Sequence, residues 1–116
     1  MNILVVDDVR SNRLLPVFIL RKLGWAVAEA ADGDEAIALL SANSYDCVLL
    51  DISMPGISGE EVCRLIRGDA KFNGVRLIAY TAHALTEEKE RIREAGFDEV
   101  LIKPITRETL LAAIGK

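Results

Sequence analysis

Three acidic residues stand directly after apolar segments of the sequence, at positions where carboxylates meet in some folds. Asp7 and Asp8 follow the segment Ile3–Val6, and Asp51 follows Cys47–Leu50. If these segments are neighbouring parallel strands, their carboxyl ends bring all three side chains into one crevice, where open α/β sheets bind ligands. Two like charges about 4 Å apart repel by roughly 4 kcal/mol at an effective dielectric constant of about 20. The cluster therefore predicts either a proton held on one carboxyl group or, more economically, a bound divalent cation.

A hydroxyl group and an ammonium group are expected at the same edge of the sheet. Thr81 ends another apolar segment, and Lys103, followed by Pro104, ends the last one. A carboxylate that attacks a phosphoryl group needs Mg²⁺ to offset charge on the oxygens, a fixed cation and a hydroxyl group that bonds the product. A few carboxylates and one backbone carbonyl are enough to hold Mg²⁺, because this ion keeps several waters. The residue types therefore predict phosphoryl transfer to a carboxylate.

Five strand-like apolar segments alternate with five segments of helical periodicity, and together they must position these side chains. The strands are predicted at residues 2–6, 25–30, 46–50, 75–80 and 98–102, and the helices at 11–23, 34–43, 59–67, 86–95 and 106–114. The strand segments are continuously apolar, as expected of parallel strands that helices cover on both faces. The sequence therefore predicts an α/β fold with a doubly wound sheet.

Composition narrows the class of protein. The 116 residues are 51% hydrophobic, which suits one domain over residues 1–116. A net charge of -4 argues against direct binding of nucleic acid, which requires a basic face.

No apolar run approaches the roughly 18 residues of a membrane span, and no signal-like segment precedes the first strand, so we expect a cytoplasmic protein with no membrane partner. Cys47 and Cys63 lack CxxC spacing and are predicted to be reduced, packed thiols.

Five short motifs, taken in order along the chain, resemble one known family. They are Asp7-Asp8, the run from Asp51 to Pro55, Gly59, Thr81-Ala82 and Lys103-Pro104. Together they closely resemble the receiver domain of two-component response regulators, and the resemblance covers essentially the whole chain. It implies a flavodoxin-like (βα)5 fold with the strand order 2-1-3-4-5.

The resemblance also implies a metal site and a phosphorylation site. Asp51 would accept a phosphoryl group from a histidine kinase or a histidine phosphotransfer protein. Asp8, supported by Asp7, would bind Mg²⁺ together with Asp51, and the backbone carbonyl of Ser53 would complete the protein's share of the metal ligands. No reaction is implied beyond the domain's own phosphorylation and dephosphorylation, so it is not expected to be an enzyme with turnover.

Two further roles follow from the same resemblance. Lys103 would pair with the phosphoryl group, aimed inward by a cis peptide bond before Pro104, and Thr81 would move to hydrogen-bond that group. The residues alone leave plainer roles open. Asp7 or Asp8 would cap the first helix, Thr81 would end a strand and Lys103 would be a solvated surface residue.

One position departs from the pattern of the family. Receivers usually carry Tyr or Phe three residues before the lysine, and the ring swings inward when the threonine moves; this sequence has Val100 there. We therefore expect no aromatic switch at this position. Any output would pass through displacement of the loop from Thr81 to Leu85 and of the helix that begins at Thr86, changing the surface of the fourth helix and fifth strand.

The first helix carries more apolar residues than one core-facing stripe needs. Leu15, Ile19, Leu20 and Leu23 suffice for the core, whereas Leu14, Val17 and Phe18 form a second set at helical spacing. The second set, with Ile105 at the active-site edge, is expected to dock a kinase or phosphotransfer helix; a broad buried face is the alternative. Pro16 predicts a kink or a late start of the helix.

Other functions remain as alternatives. A phosphatase with an aspartate nucleophile usually has the motif DxD after its first strand. A flavodoxin-like cofactor binder needs a phosphate loop rich in Gly, Ser and Thr at the same place. The sequence has Asp7-Asp8-Val9-Arg10 there, which fits neither pattern. A receiver that binds partners without phosphorylation and a receiver excised from a hybrid kinase also stay open. Met1 directly before the first strand favours a stand-alone protein. The downstream effector is a protein that the sequence does not identify.

Overall fold

Strands and helices alternate throughout the described part of the chain, which in this computed structural model comprises residues 1–52, 54, 56–72, 74–82 and 86–115. The strands are β1 (Asn2–Val6), β2 (Ala26–Ala30), β3 (Cys47–Asp51), β4 (Arg76–Thr81) and β5 (Glu99–Ile102). The helices are α1 (Arg10–Lys22), α2 (Gly33–Ala42), α3 (Gly59–Arg67), α4 (Thr86–Ala95) and α5 (Arg107–Ile114), with a 3₁₀ turn at Ala70–Phe72. Every predicted element is present, and its ends differ from the prediction by one residue at most.

The five strands form one parallel sheet in the order β2-β1-β3-β4-β5. This confirms the predicted doubly wound, flavodoxin-like α/β fold. The order reverses between β1 and β3, so the two strands that end in carboxylates are direct neighbours, with Val6 paired to Leu50. On the other side of β3, Asp51 pairs with Tyr80, one residue before Thr81. The sheet therefore brings the ends of three strands to one edge.

The sheet is buried on both faces because successive side chains of a strand point to opposite sides. One face packs against α2, α3 and α4, and the other packs against α1 and α5. In β1, Leu4 and Val6 belong to the first layer, whereas Ile3 and Val5 belong to the second. The continuously apolar strands of the sequence are thus explained by burial from two sides.

Helix α1 shows where the prediction of buried residues was wrong. Val17 and Leu20 face the sheet, and Val17 is only 4% exposed, although we assigned it to the outer set. Leu15 was expected in the core but is 46% exposed. Residues two apart lie about 200° apart around an α-helix, so burial of Val17 turns Leu15 outward. The helix begins at Arg10 with Pro16 inside it, so the late start is also wrong.

The two cysteines lie on different elements, Cys47 on β3 and Cys63 on α3, and both are buried and unpaired with each other. This agrees with the prediction of packed thiols. The Sγ of Cys63 donates to the carbonyl oxygen of Ala95 at 3.3 Å, which ties α3 to the end of α4. In the described residues, none of the helices has both the length and the apolar character that crossing a membrane requires.

Candidate acidic site

The three predicted carboxylates meet at the edge of the sheet where β1 and β3 end. Each of Asp7, Asp8 and Asp51 offers one carboxylate oxygen, and these oxygens lie within 4.8 Å of one another. Asp7 is fully buried and Asp51 is 5% exposed, whereas Asp8 is open to solvent. The strand-end argument from the sequence therefore places these side chains correctly.

The ammonium group of Lys103 lies beside two of these carboxylates. Its Nζ is 3.1 Å from Oδ2 of Asp7 and 3.8 Å from Oδ2 of Asp51. The peptide bond between Lys103 and Pro104 is cis, as predicted, and the backbone N–H of Lys103 donates to the carbonyl oxygen of Thr81 at 2.7 Å. The side chain is only 18% exposed. Lys103 is therefore a cation of the crevice rather than a solvated surface lysine.

Asp7 also organises the chain between β1 and α1. Its Oδ1 accepts a hydrogen bond of 2.9 Å from the backbone N–H of Val9, the residue that precedes α1. This bond turns the chain towards α1, but Val9 occupies the N-cap of the helix without any side-chain capping bond, so the capping role left open for Asp7 or Asp8 is wrong. Arg13 adds a link that the sequence did not reveal, because its Nη1 donates to the carbonyl oxygen of Asp7 and its Nε to Glu29 of β2. These bonds fix the end of β1, where Asp7 and Asp8 lie, to the first turns of α1.

Tyr80 is a second residue of the site that the sequence analysis missed. It is 3% exposed, and Nζ of Lys103 lies 4.4 Å from the centre of its ring. Its hydroxyl group donates to the carbonyl oxygen of Asn12 at 3.3 Å. Burial, with a smaller contribution from the charges of Asp7 and Asp51, raises the pKa of Tyr80 to about 12. The available signal was strand alternation, since a residue next to Thr81 in β4 must face α1 and α5.

The acidic site opens into a crevice of about 340 Å³. Asp8, Asp51 and Lys103 line it, together with Thr81 and with Arg91 of α4. The predicted hydroxyl group therefore lies in the same crevice as the carboxylates. A larger depression of about 560 Å³ occurs where α2 ends, but Asp46 provides its only carboxylate among the described residues.

Gly59, the first residue of α3, lies against the backbone of the chain that carries Asp51. Its N–H donates to the carbonyl oxygen of Ile52 at 3.2 Å. A Cβ atom at this position would lie 2.3 Å from the carbonyl oxygen of Asp51 and 2.8 Å from Cα of Ile52. Gly59 is one of the motifs of the resemblance. Glycine is required there because α3 approaches the backbone of Asp51 so closely.

Comparison with known protein families decides the class. The family model described as the response regulator receiver domain matches residues 3–115. The chain belongs to this family. It is 42% identical over 112 residues to the sensor histidine kinase RcsC of Escherichia coli, covering 95% of this chain and 11% of RcsC. The chain spans less than half the length of such curated relatives.

Two solved structures show how closely this receiver domain follows the fold of the family. Chemotaxis protein CheY4 of Vibrio cholerae superposes with a TM-score of 0.91 at 30% identity, over 97% of this chain and 94% of that one. The second is the receiver domain of the sensor histidine kinase PA1611 of Pseudomonas aeruginosa, which was solved with a magnesium ion in its active-site cleft. It superposes with a TM-score of 0.86 at 34% identity, over 99% of this chain and 98% of that one. Its similarity thus extends both to a chemotaxis protein and to a part of a sensor kinase.

The side chains of this receiver domain fit a divalent cation. The cluster holds three carboxyl groups and a single ammonium group, and a divalent ion would offset this excess of acidic groups. The candidate ligands are oxygen atoms, which Mg²⁺ prefers. Phosphorylation and magnesium binding are typical of the family. Ser53, the predicted source of a backbone ligand, lies outside the described residues.

The predicted docking surface of the receiver domain is only partly exposed. Leu14 and Phe18 are 53% and 59% exposed, as expected of a surface that binds another protein. Val17 and Ile105 are each 4% exposed and pack with the layer under α1 and α5, so they add little exposed area, although Val17 lines a depression beside Leu14 and Phe18. Val17 and Ile105 thus support that surface from below. Val100, the position of the missing aromatic ring, is a half-buried residue of β5 that packs against the other layer.

Proposed function

We propose that this receiver domain accepts a phosphoryl group on Asp51 and thereby controls a partner protein. The arrangement of Lys103 carries the proposal, since its ammonium group lies within 4 Å of both Asp7 and Asp51 at the mouth of one crevice. A structural ion pair would need only one of these two contacts. A cation shared between two carboxylates instead suits a site that must later balance the added charge of a phosphoryl group.

Each residue of the site has a part in this reaction. Asp8 and Asp51, with Asp7 in support and the carbonyl group of Ser53, would hold Mg²⁺, which offsets charge on the phosphoryl oxygens when it is bound. A carboxylate oxygen of Asp51 attacks the phosphorus atom and forms an acyl phosphate, while the P–N bond to the donor's histidine breaks and the imidazole leaves.

Two further side chains respond to the product. Lys103 pairs with the phosphoryl oxygens, and the hydroxyl group of Thr81 donates a hydrogen bond to one of them. The protein catalyses its own phosphorylation and dephosphorylation and no further reaction.

The chemistry is tested with acetyl phosphate as the donor. With Mg²⁺, the protein should gain the mass of one phosphoryl group, and Asp51→Asn should gain none. Asp34→Asn is the matched control, because Asp34 is an exposed aspartate in the first turn of α2. Full labelling of Asp51→Asn would overturn the assignment of the acceptor. No labelling of the unaltered protein would favour a receiver that binds partners without phosphorylation.

Magnesium binding is tested without any phosphodonor. Mg²⁺ at 100 times its dissociation constant should raise the free energy of unfolding by about 2.7 kcal/mol. Asp8→Asn should lose most of this gain, because Asp8 is the solvent-facing carboxylate of the cluster. Equal stabilisation of both proteins by Mg²⁺ would remove Asp8 from the metal site.

The phosphodonor is a histidine kinase or a histidine phosphotransfer protein that docks on α1. Leu14, Val17 and Phe18 line an apolar depression together with Arg21 and Lys22, and its volume is about 400 Å³. This combination suits a partner helix with an apolar stripe and acidic flanks. Phe18→Glu should slow phosphotransfer from such a donor without affecting labelling by acetyl phosphate. Leu65→Glu is the matched control, since Leu65 is 56% exposed but lies on α3.

The output is carried by the chain after β4 and by the surface of α4 and β5. Val100 is too small to report phosphorylation by rotating a ring, so the signal passes through residues Thr81 to Leu85 and through α4. Residues 83–85 lie outside the described part of the chain. Backbone chemical shifts of the free and phosphorylated protein test this route. Unchanged shifts across residues 81 to 90 would contradict it.

The same chemistry fits a stand-alone regulator and the receiver portion of a hybrid kinase. Similarity to RcsC, of which this chain spans 11%, favours the second, and similarity to CheY4, of which it spans 94%, favours the first. A single domain over residues 1–116, a cytoplasmic location and the absence of direct binding to nucleic acid stay predictions. A pull-down that compares the phosphorylated and unphosphorylated protein would identify the effector.

A further inference from the structure

Pro16 creates an unusual requirement in α1. In an α-helix the N–H of each residue donates to the carbonyl oxygen four residues earlier, and proline has no N–H to donate. The carbonyl oxygen of Asn12 therefore lacks the donor that a residue other than proline at position 16 would supply. The hydroxyl group of Tyr80, from β4, donates to this oxygen at 3.3 Å. Tyr80 thus replaces the helical donor that Pro16 removes.

The same tyrosine contacts the cation of the acidic site. Nζ of Lys103 lies 4.4 Å from the ring centre of Tyr80, well within the roughly 6 Å over which a cation is attracted to a ring face. It also lies 3.1 Å from Asp7 and 3.8 Å from Asp51. The ammonium group therefore has two carboxylates and an aromatic face around it, and the ring lines a neighbouring depression together with Asn12 and Lys103.

Tyr80 is well suited to hold a fixed position. Its side chain is 3% exposed among the packed residues under α1 and α5. Its raised pKa, about 12 because of burial, keeps the hydroxyl group protonated and able to donate at neutral pH. The ring is consequently fixed at its far end by α1 and offers its face to Lys103.

We propose that Tyr80 is the positioning residue for Lys103. Its ring sets the place of the ammonium group between Asp7 and Asp51, and its bond to the Asn12 carbonyl fixes the ring and joins α1 to the acidic site. This proposal rests on the proposed function for its consequence in phosphorylation. The geometry that it describes exists in the unphosphorylated protein and is measured separately.

The first experiment measures Lys103 in the absence of any phosphodonor. Exchange of the Lys103 ammonium protons with water is followed by ¹⁵N-resolved NMR in the unaltered protein, in Tyr80→Phe and in Tyr80→Leu. Loss of the ring should speed exchange by about 2- to 30-fold, the equivalent of a cation–π interaction, whereas Tyr80→Phe should stay near the unaltered protein. Tyr80→Met gives the same comparison if the leucine variant does not fold. Unchanged exchange without the ring would overturn the proposal.

The second experiment uses pairs of substitutions. Removal of the ring should slow labelling of Asp51 by acetyl phosphate in the unaltered protein and have no further effect in Lys103→Ala. A purely structural role of Tyr80 would slow both proteins equally and would contradict the proposal. If the unaltered protein is not labelled at all, the proposed function fails, and the exchange measurement still decides the role of Tyr80.

The third comparison tests the hydroxyl group. Tyr80→Phe should lower the midpoint of urea unfolding when Pro16 is present, because the Asn12 carbonyl then loses its donor. In Pro16→Ala the backbone N–H of residue 16 supplies that donor, so the same substitution should have little effect. Equal shifts of the urea midpoint in both backgrounds would show that the effect of the Tyr80 hydroxyl group does not depend on Pro16. That result would refute this part of the proposal.

Discussion

Gly59→Ala would place a methyl group against the backbone that carries Asp51, the proposed phosphoacceptor. The new Cβ atom would lie 2.3 Å from the carbonyl oxygen of Asp51 and 2.8 Å from Cα of Ile52, more than 0.5 Å closer than an ordinary contact of about 3.4 Å. Both neighbours are backbone atoms, so no flexible side chain can move away. Either the start of α3 or the end of β3 must shift.

The size of the effect follows from two opposing contributions. Inserting a methylene group into a packed region costs about 1–3 kcal/mol, and an overlap with backbone favours the upper end of this range. Alanine recovers up to about 1 kcal/mol of helix propensity relative to glycine. We therefore expect Gly59→Ala to lower the free energy of unfolding by about 2 kcal/mol, and to slow labelling because Asp51 is displaced.

Urea unfolding measures this loss, and the glycine that caps the carboxyl end of α3 provides the control. With a slope of about 1.5 kcal/mol per molar, the midpoint should fall by roughly 1.3 M. Gly68 ends the same helix at φ -79°, a conformation that alanine adopts readily. A Cβ atom there would lie 3.2 Å from the carbonyl oxygen of Arg64, a far milder contact than at Gly59, so Gly68→Ala should change stability by less than about 1 kcal/mol in either direction. A Gly59→Ala protein as stable as its Gly68→Ala counterpart would refute the steric argument.

Three further predictions concern the acidic site, the thiols and α3. In EDTA, Lys103→Ala should lower the free energy of unfolding by about 2–3 kcal/mol, because Asp7 stays buried without its cation. Adding Asp7→Asn to this variant should recover most of the loss. Equal stability of the single and double variants would contradict this. Burial raises the pKa of Cys47 from 9.0 to about 12 and that of Cys63 to about 11, so stability is full below pH 9 and falls above it. Between pH 9 and 10 the slope should average about 1 kcal/mol per pH unit for each thiol, and an alanine at either position should halve it. Arg67→Met should cost about 3 kcal/mol in urea unfolding without preventing labelling of Asp51, since it removes hydrogen bonds to Gly96, Val75 and Asp98.

The fold and the centre of the site were predictable because their causes are local in the sequence. An apolar run that is buried on both faces is a parallel strand, and the residue at its carboxyl end lies at the edge where ligands bind. Asp7, Asp8 and Asp51 could be placed together by this rule. Thr81 and Lys103 follow the same rule, so the residues of the proposed phosphorylation reaction converge without knowledge of any long-range contact.

The surroundings of the site were harder to predict because they depend on the rotation of one element against another. The apolar pattern of α1 allows two orientations, and packing under the sheet selects the one that buries Val17 and exposes Leu15. Ile105 was expected on the exposed docking surface but is 4% exposed and belongs to the same core layer as Tyr80. The contact between Tyr80 and Lys103 joins β4 to the end of β5. No residue spacing in the sequence predicts such a contact.

Helix α4 is held at two places by contacts of different strength. Nη2 of Arg91, which lines the crevice, lies 3.3 Å from Glu60 of α3, and its side chain is 58% exposed. The turn after α4 is held by Nε of Arg67, which donates to the carbonyl oxygen of Gly96 at 2.9 Å. Exposed ion pairs weaken with salt, since the screening length is about 8 Å at physiological ionic strength, whereas the partly buried bond to Gly96 is little screened. Higher ionic strength is therefore expected to weaken the contact between the crevice side of α4 and α3, while the bond to Gly96 keeps the end of the helix in place.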